Sequence, residues 1–218
     1  MQDAIVTGFR KVPSFAEGLV RDLRVRWALN EAGIAYETAA VEVSERHSES
    51  HRRSHPFGLV PVFAADGRTM FESGAILYRI AETSPALMPE DADGRAETLT
   101  WMFAALNTME LPLNELSVLD LQHADQDWAK LRRPGAVEAV RTRLDALATW
   151  LDGRDYLTGR FSAADILMTT VLRLIGHTDL VAEYGPVKRY QTRCEARPAF
   201  RRALDEQIAG YRESAVAA

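Results

Sequence analysis

Cysteine is almost missing: the 218-residue chain has one, Cys194. No disulfide can form within it, and no Cys-x-x-Cys or Cys-x-x-Ser pair is present for dithiol exchange. Basic residues are outnumbered, 26 Lys and Arg against 31 Asp and Glu, for a formal net charge of -5. That argues against nucleic acid, because a phosphate-binding surface needs a cationic excess. The local basic cluster His51-Arg52-Arg53, with His47 and His55, is short and reads as a solvated helical face. No apolar run approaches the roughly 20 residues that span a bilayer. Residues 1–7 lack the basic region and long apolar run of a signal peptide. The five histidines show no ligand spacing coupled to carboxylates, and no glycine loop suits a phosphate. These absences lead us to expect a reduced, cytoplasmic setting with no metal, no membrane and no nucleic-acid partner. The lone Cys194, in a late helix, reads as a buried inert thiol.

What is present is ordinary globular composition, 47% hydrophobic and 26% charged, written in two grammars. Residues 4–7 are a short apolar run suited to a buried strand. Residues 14–32 carry helical spacing, with Ser14 and Glu17 placed as a capping box and Gly33 as the stop. A second strand falls within 35–43, and a polar, helical or loose segment covers 44–55. Runs 60–64 and 68–71 flank Asp66-Gly67, the strongest hairpin signal in the chain. Residues 73–83 read as a helix. The order β-α-β-α-β-β-α implies a mixed sheet with helices on its faces. Beyond Pro85 and Pro89 no strand pattern recurs, and 93–119, 134–151, 163–175 and 187–210 read as helices. The expected domains are therefore 1–83, a linker at 84–93, and an all-helical 94–218, with 214–218 as a loose tail.

Two short motifs could carry chemistry. A proline opening a strand, Pro61, would free the backbone of Val60 for an extended ligand if the bond between them is cis. Alone, a plain loop-to-strand proline is the better reading. Ser73 lies at a strand-to-helix junction, where it could cap a helix beginning at Gly74, whose N-terminus suits a carboxylate. Glu72 beside it could pair with an ammonium. Alone, a capped helix with an exposed acid is the better reading. Together, eleven residues apart across an Asp-Gly hairpin, they are far more specific.

The pair resembles the glutathione-binding half of glutathione transferases. The resemblance extends to Phe161-Ser162-Ala163-Ala164-Asp165-Ile166, similar to the family's structural capping box and hydrophobic staple, and covers nearly the whole chain. It implies an α/β thioredoxin-like N-terminal domain plus an all-α C-terminal domain. It further implies a homodimer, with glutathione held by Leu59, Val60, Pro61, Glu72, Ser73 and His51. Position 59 departs from the family pattern, with Leu59 where many members have Gln, which leaves the glycyl carboxylate to His51 or Arg52. The implied reaction is attack of the glutathione thiolate on a small hydrophobic electrophile, in an interdomain cleft formed by Phe15 (or Phe9), Phe103, Leu106, Asn107 and Glu110. A glutathione-dependent isomerase and a non-catalytic glutathione-fold binding protein are the competing readings.

The thiol-activating group is the open question. Counted back from Arg24-Val25-Arg26-Trp27-Ala28-Leu29, the family's usual hydroxyl or thiol positions fall on Leu19, Val20, Arg21 and Asp22, none of which carries either. An extended first helix would make Ser14 the nearest hydroxyl and the expected catalytic residue, with Thr7, Arg10 and Lys11 as further candidates. A structural cap explains Ser14 equally well.

Overall fold

The computed structural model describes residues 1–216, with side chains through residue 212. Its contacts divide into two units, residues 1–87 together with Arg197 onward, and 88–196. The break at 87/88 falls inside the expected linker. The last helix, however, belongs with the sheet and not with the helical unit.

In the first unit, strands β1 (Ile5–Phe9), β2 (Glu37–Val41), β3 (Val62–Ala65) and β4 (Arg68–Phe71) form one sheet in the order β2-β1-β3-β4. β1 is parallel to β2 and antiparallel to β3, and β3 is antiparallel to β4. The two-residue turn takes left-handed φ at both Asp66 (51°) and Gly67 (71°), the geometry that makes Asp-Gly a hairpin signal. Helix α1 (Asp22–Ala32) ends where expected, at Gly33 with φ 68°.

Its start is not where the capping pattern placed it. Residues Ser14–Ala16 form a separate 3-10 turn with no side-chain cap, Ser14 is exposed, and α1 begins only at Asp22. The extended first helix expected over 14–32 is thus corrected. α1 is buried from Asp22 through Leu29 because it lies against the sheet, helix α3 (Ser73–Ala81) and helix α9 (Pro198–Val216). Trp27 is fully buried and packs edge-on against Phe200 of α9, centroids 4.8 Å apart. Arg197 closes the same face with two bonds to the Glu31 carboxylate, 2.6 and 2.7 Å. The polar segment contains a short helix, α2 (Glu49–Ser54), capped by the Ser48 hydroxyl. Helix α9 continues through 214–216, where a loose tail was expected, and residues 217 and 218 lie outside the described residues.

The second unit contains α4 (Ala92–Phe103), a π-helical turn (Ala104–Met109), α5 (Glu110–Gln122), α6 (Asp127–Leu151), α7 (Ala163–Leu172) and α8 (Gly185–Glu195). Pro134 lies inside α6 and does not open it. On α6 beside it, Arg132 and Arg133 each make two bonds to α5, to Glu115 (2.7 and 3.1 Å) and Asp120 (2.7 and 3.0 Å). α7 is buried along its whole length, and the expected capping box is present at its start. Asp165 accepts from the Ser162 amide at 2.9 Å, the Leu157 amide at 3.1 Å and the Tyr190 hydroxyl at 3.0 Å. Burial is the main influence on this carboxyl and raises it to about 6 despite those donors. The single helix expected over 187–210 is two, α8 and α9, broken before Pro198. Among the described residues no helix is long and apolar enough to cross a membrane.

Candidate functional site

Strand register brings the two sequence motifs together. Val62 pairs with Phe71, so the next positions outward, Pro61 and Glu72, leave the sheet side by side. The Val60-Pro61 peptide is cis. Among the described residues, none donates to or accepts from the Val60 backbone, although Val60 itself is only 7% exposed. β1 pairs Thr7 with Val62, which sets Gly8 beside Pro61 at the same end of the sheet.

Helix α1 reaches this end through Asp22. A β-carbon on Gly8 would lie 2.8 Å from an Asp22 carboxylate oxygen, so any larger residue here forces the Asp22 side chain to shift. Farther along the turn, the Arg24 guanidinium donates to the Ser73 hydroxyl at 3.1 Å, a contact between two buried side chains. Three chain segments therefore converge: the open backbone at Val60, the start of α3, and the start of α1.

The cap of α3 differs from expectation. The helix begins at Ser73, not Gly74, and Glu72 occupies the N-cap position without a side-chain bond. Glu72 takes φ 69° and ψ 108°, a region costing a non-glycine residue of order 1–3 kcal/mol. Its carboxylate is exposed. The Ser73 hydroxyl, expected to cap, instead accepts from Arg24.

His51, expected near a carboxylate, is largely buried, and its Nε2 donates to the Leu59 carbonyl at 2.9 Å. It thus ties α2 to the loop that presents Val60. The Leu59 side chain is 44% exposed and supplies no polar group of its own. Behind this loop His55 is 2% exposed, its ring 5.0 Å from Phe71, and its Nδ1 has no partner among the described residues. Burial lowers the His55 pKa, opposed by the nearby Glu72.

The remaining candidates lie elsewhere. Ser14 and Phe15 sit on the 3-10 turn of the first unit, both exposed. In the second unit Phe103 is 61% exposed, Leu106 is half-buried and Asn107 exposed on the π turn, while Glu110 is buried at the start of α5. Cys194 is buried. The contacts of Arg24 and Asp22 and the positive φ of Glu72 were missed in the sequence, although Glu72 itself was an expected ligand. A faint signal existed for the first two, since Asp22, Arg24 and Arg26 are charged positions in the otherwise apolar stretch 22–29, with Asp22 and Arg26 at i,i+4 spacing. A cavity of about 770 Å³ opens between α1, β2 and α9. Within it Glu206 accepts from Tyr36, from Arg202 at 2.7 Å and from Asn30 at 3.4 Å.

Comparison with known proteins agrees with this geometry. Family models for the glutathione S-transferase N-terminal and C-terminal domains match residues 17–82 and 130–198. A probable maleylacetoacetate isomerase of Drosophila melanogaster is 30% identical over 190 residues, 83% of this chain and 81% of that protein. The maleylacetoacetate isomerase of Rattus norvegicus is 30% identical over 154 residues, covering 66% and 68%. A glutathione transferase from Burkholderia graminis, crystallised with two glutathione molecules per subunit, superposes with a TM-score of 0.81 at 26% identity, covering 94% of this chain and 88% of its own. The sheet order, the cis proline beside Glu72-Ser73 and these matches over both units have one explanation: the chain belongs to the glutathione S-transferase family.

Proposed function

We propose that this protein binds glutathione at the sheet end and uses its thiolate as a nucleophile toward an electrophilic carbon. The observation that carries the reading is the convergence of an unpaired Val60 backbone, the Glu72 carboxylate and the N-terminus of α3 within one stretch of strand register. An extended peptide satisfies Val60 by pairing with its N–H and C=O. A γ-glutamyl group supplies a carboxylate for the free amides of α3 and the Ser73 hydroxyl, and an ammonium for Glu72. The strain at Glu72 is consistent with a residue held in place for a ligand.

A free thiol with pKa near 8.5 is mostly protonated at neutral pH. Lowering that value by about two units takes roughly 2.7 kcal/mol of preferential thiolate stabilisation. The grounds for assigning this to Ser14 are gone, since α1 starts at Asp22 and Ser14 caps nothing. In our reading the N-terminus of α1 supplies part of it, about 0.3–1 kcal/mol from the helix dipole and up to ~2 when partly buried. The Arg21 guanidinium, at the N-cap position of α1, supplies the remainder as a nearby positive charge. The sulfur then bonds to the electrophilic carbon, and either a leaving group departs or solvent protonates the resulting carbanion.

A second reading is favoured by the isomerase relatives. In it the same thiolate adds to a cis double bond, the adduct rotates, and the carbon–sulfur bond breaks again, so glutathione is not consumed. Calorimetric titration with glutathione, with the ultraviolet absorbance of the thiolate followed in the complex, tests the common step. Binding without thiolate at neutral pH refutes both enzymatic readings and leaves a binding module. Turnover of an aryl halide to a stable conjugate supports the transferase. Turnover of a cis-enedione without loss of glutathione supports the isomerase. The expected effect of Arg21→Ala is a rise of about one unit in the bound thiol's pKa, with Arg21→Lys retaining most of the depression.

A further inference from the structure

We propose that Gln207 of α9 is a positioning residue for the thiol site, holding Val20 and Asp22 so that the first turn of α1 keeps its place at the sheet end. This rests on the glutathione-thiolate reading given above. Gln207 is 1% exposed, and its amide nitrogen donates to the Val20 carbonyl at 3.1 Å and to Asp22 Oδ1 at 2.6 Å. The other Asp22 oxygen accepts from Arg26 Nε at 2.8 Å, and Asp22 itself is 1% exposed. The same carboxylate abuts Gly8, which lies beside Pro61. A displacement at Gln207 is therefore transmitted through Asp22 to Gly8 and the Val60-Pro61 edge.

Two features separate positioning from mere packing. The first turn of α1 has no side-chain cap hydrogen bond at its N-cap, and the bonds from Gln207 of α9 reach both the residue before that cap, Val20, and the first helical residue, Asp22. The cluster is also poorly designed for stability alone. Among the described residues, Gln207 Oε1 and the Tyr211 hydroxyl one turn later are buried with no hydrogen-bond partner, and a buried carboxylate–guanidinium pair stabilises little more than apolar residues of the same size would. Burial accordingly raises the Asp22 pKa against the help of Arg26 and Gln207. What the polar cluster does provide is one defined register between α9 and residues 20–22.

The test is Gln207→Met, which keeps the side chain's length and removes its donor, with Tyr211→Phe as the control on the same helix face. The pH profile of kcat and the thiolate absorbance of bound glutathione are measured for both and for wild type. In Gln207→Met the thiol pKa is expected to rise by about one unit, a tenfold loss of turnover below that pKa, recovered at alkaline pH. KM for glutathione changes less than about threefold, because Val60 and Ser73 are untouched. Tyr211→Phe leaves the profile at its wild-type position. A wild-type profile in Gln207→Met overturns the inference whatever happens to its melting temperature. Should that variant not fold, Gln207→Asn, with its amide one methylene back, is expected to show a smaller shift in the same direction, and no shift overturns the inference equally. Failure of the underlying reading is seen in a different sample: wild-type protein that binds glutathione without depressing its thiol pKa removes both.

Discussion

Replacing Ser73 with alanine separates what its hydroxyl does for the fold from what it does for a ligand. In the fold it accepts one hydrogen bond from Arg24, with Ser73 5% and Arg24 2% exposed. A hydrogen bond to a charged group contributes about 1.5–3 kcal/mol. Arg24 keeps other interactions, so the lower part of that range applies, about 1.5–2 kcal/mol. For a protein of this size, with a urea slope near 3 kcal/mol/M, the midpoint falls by roughly 0.6 M. Three of the four tryptophans lie in the helical unit and only Trp27 in the sheet unit. Total fluorescence is therefore a poor probe, and hydrogen exchange of the α1 and α3 amides is the assay that sees this bond. For the ligand, the lost hydroxyl–carboxylate contact is expected to raise the glutathione Kd by about 10–100-fold, measured by calorimetry. Ser73→Thr, which retains the hydroxyl, stays within a few-fold of wild type. Lost protection with an unchanged Kd refutes the reasoning about the ligand, since the hydroxyl would then serve Arg24 alone. Unchanged protection refutes the reasoning about the fold.

Ser14→Ala is expected to change stability by no more than about 0.5 kcal/mol, as for an exposed surface position, and to leave the bound thiol's pKa where it is; a shift of one unit would return the activating role to Ser14. Glu72→Gly relieves the positive φ and should raise the stability of the ligand-free protein by about 1 kcal/mol while weakening glutathione binding at least tenfold, so a less stable variant contradicts the strain argument. The Asp165 carboxyl titrates at about 6 when folded against 3.8 unfolded, so between those values the folded state binds more protons and stability falls as pH rises. The advantage of wild type over Asp165→Asn is therefore greatest below about pH 4 and shrinks as pH climbs through about 6, by up to roughly 3 kcal/mol. Denaturant unfolding across that range, with an advantage that grows instead, would contradict the assignment.

The strands and their chain order were legible because each signal was local: a short apolar run at β1, an Asp-Gly turn, and two motifs whose spacing is set by the hairpin between them. Most of the helical unit was legible for the same reason, although 93–119 read as one helix where α4, a π turn and α5 follow one another, and α6 opens at Asp127 rather than Pro134. What could not be read depends on residues far apart in the chain. The start of α1 is held by Gln207 and Gly8, whereas the Ser14–Glu17 pattern offers a more conventional start that tertiary contacts override. Ser73 turns from its helix to Arg24, a partner no spacing rule connects. Glu72 adopts a backbone conformation its residue type disfavours, so propensity points away from it. Pro134 sits inside a helix, where a boundary is the ordinary reading of proline.

The return of α9 to the sheet unit also has a consequence for synthesis. Residues 1–87 leave the ribosome with the α9-facing side of α1 uncovered, including Trp27, and they wait through all of 88–196 for Phe200 to arrive. The helical unit, contiguous in the chain, can complete first, reversing the usual order in which N-terminal domains fold ahead of later ones. A fragment ending at residue 87 would carry that face into solution, and a circular permutant placing 197–212 ahead of residue 1 would supply the missing wall before the sheet is made.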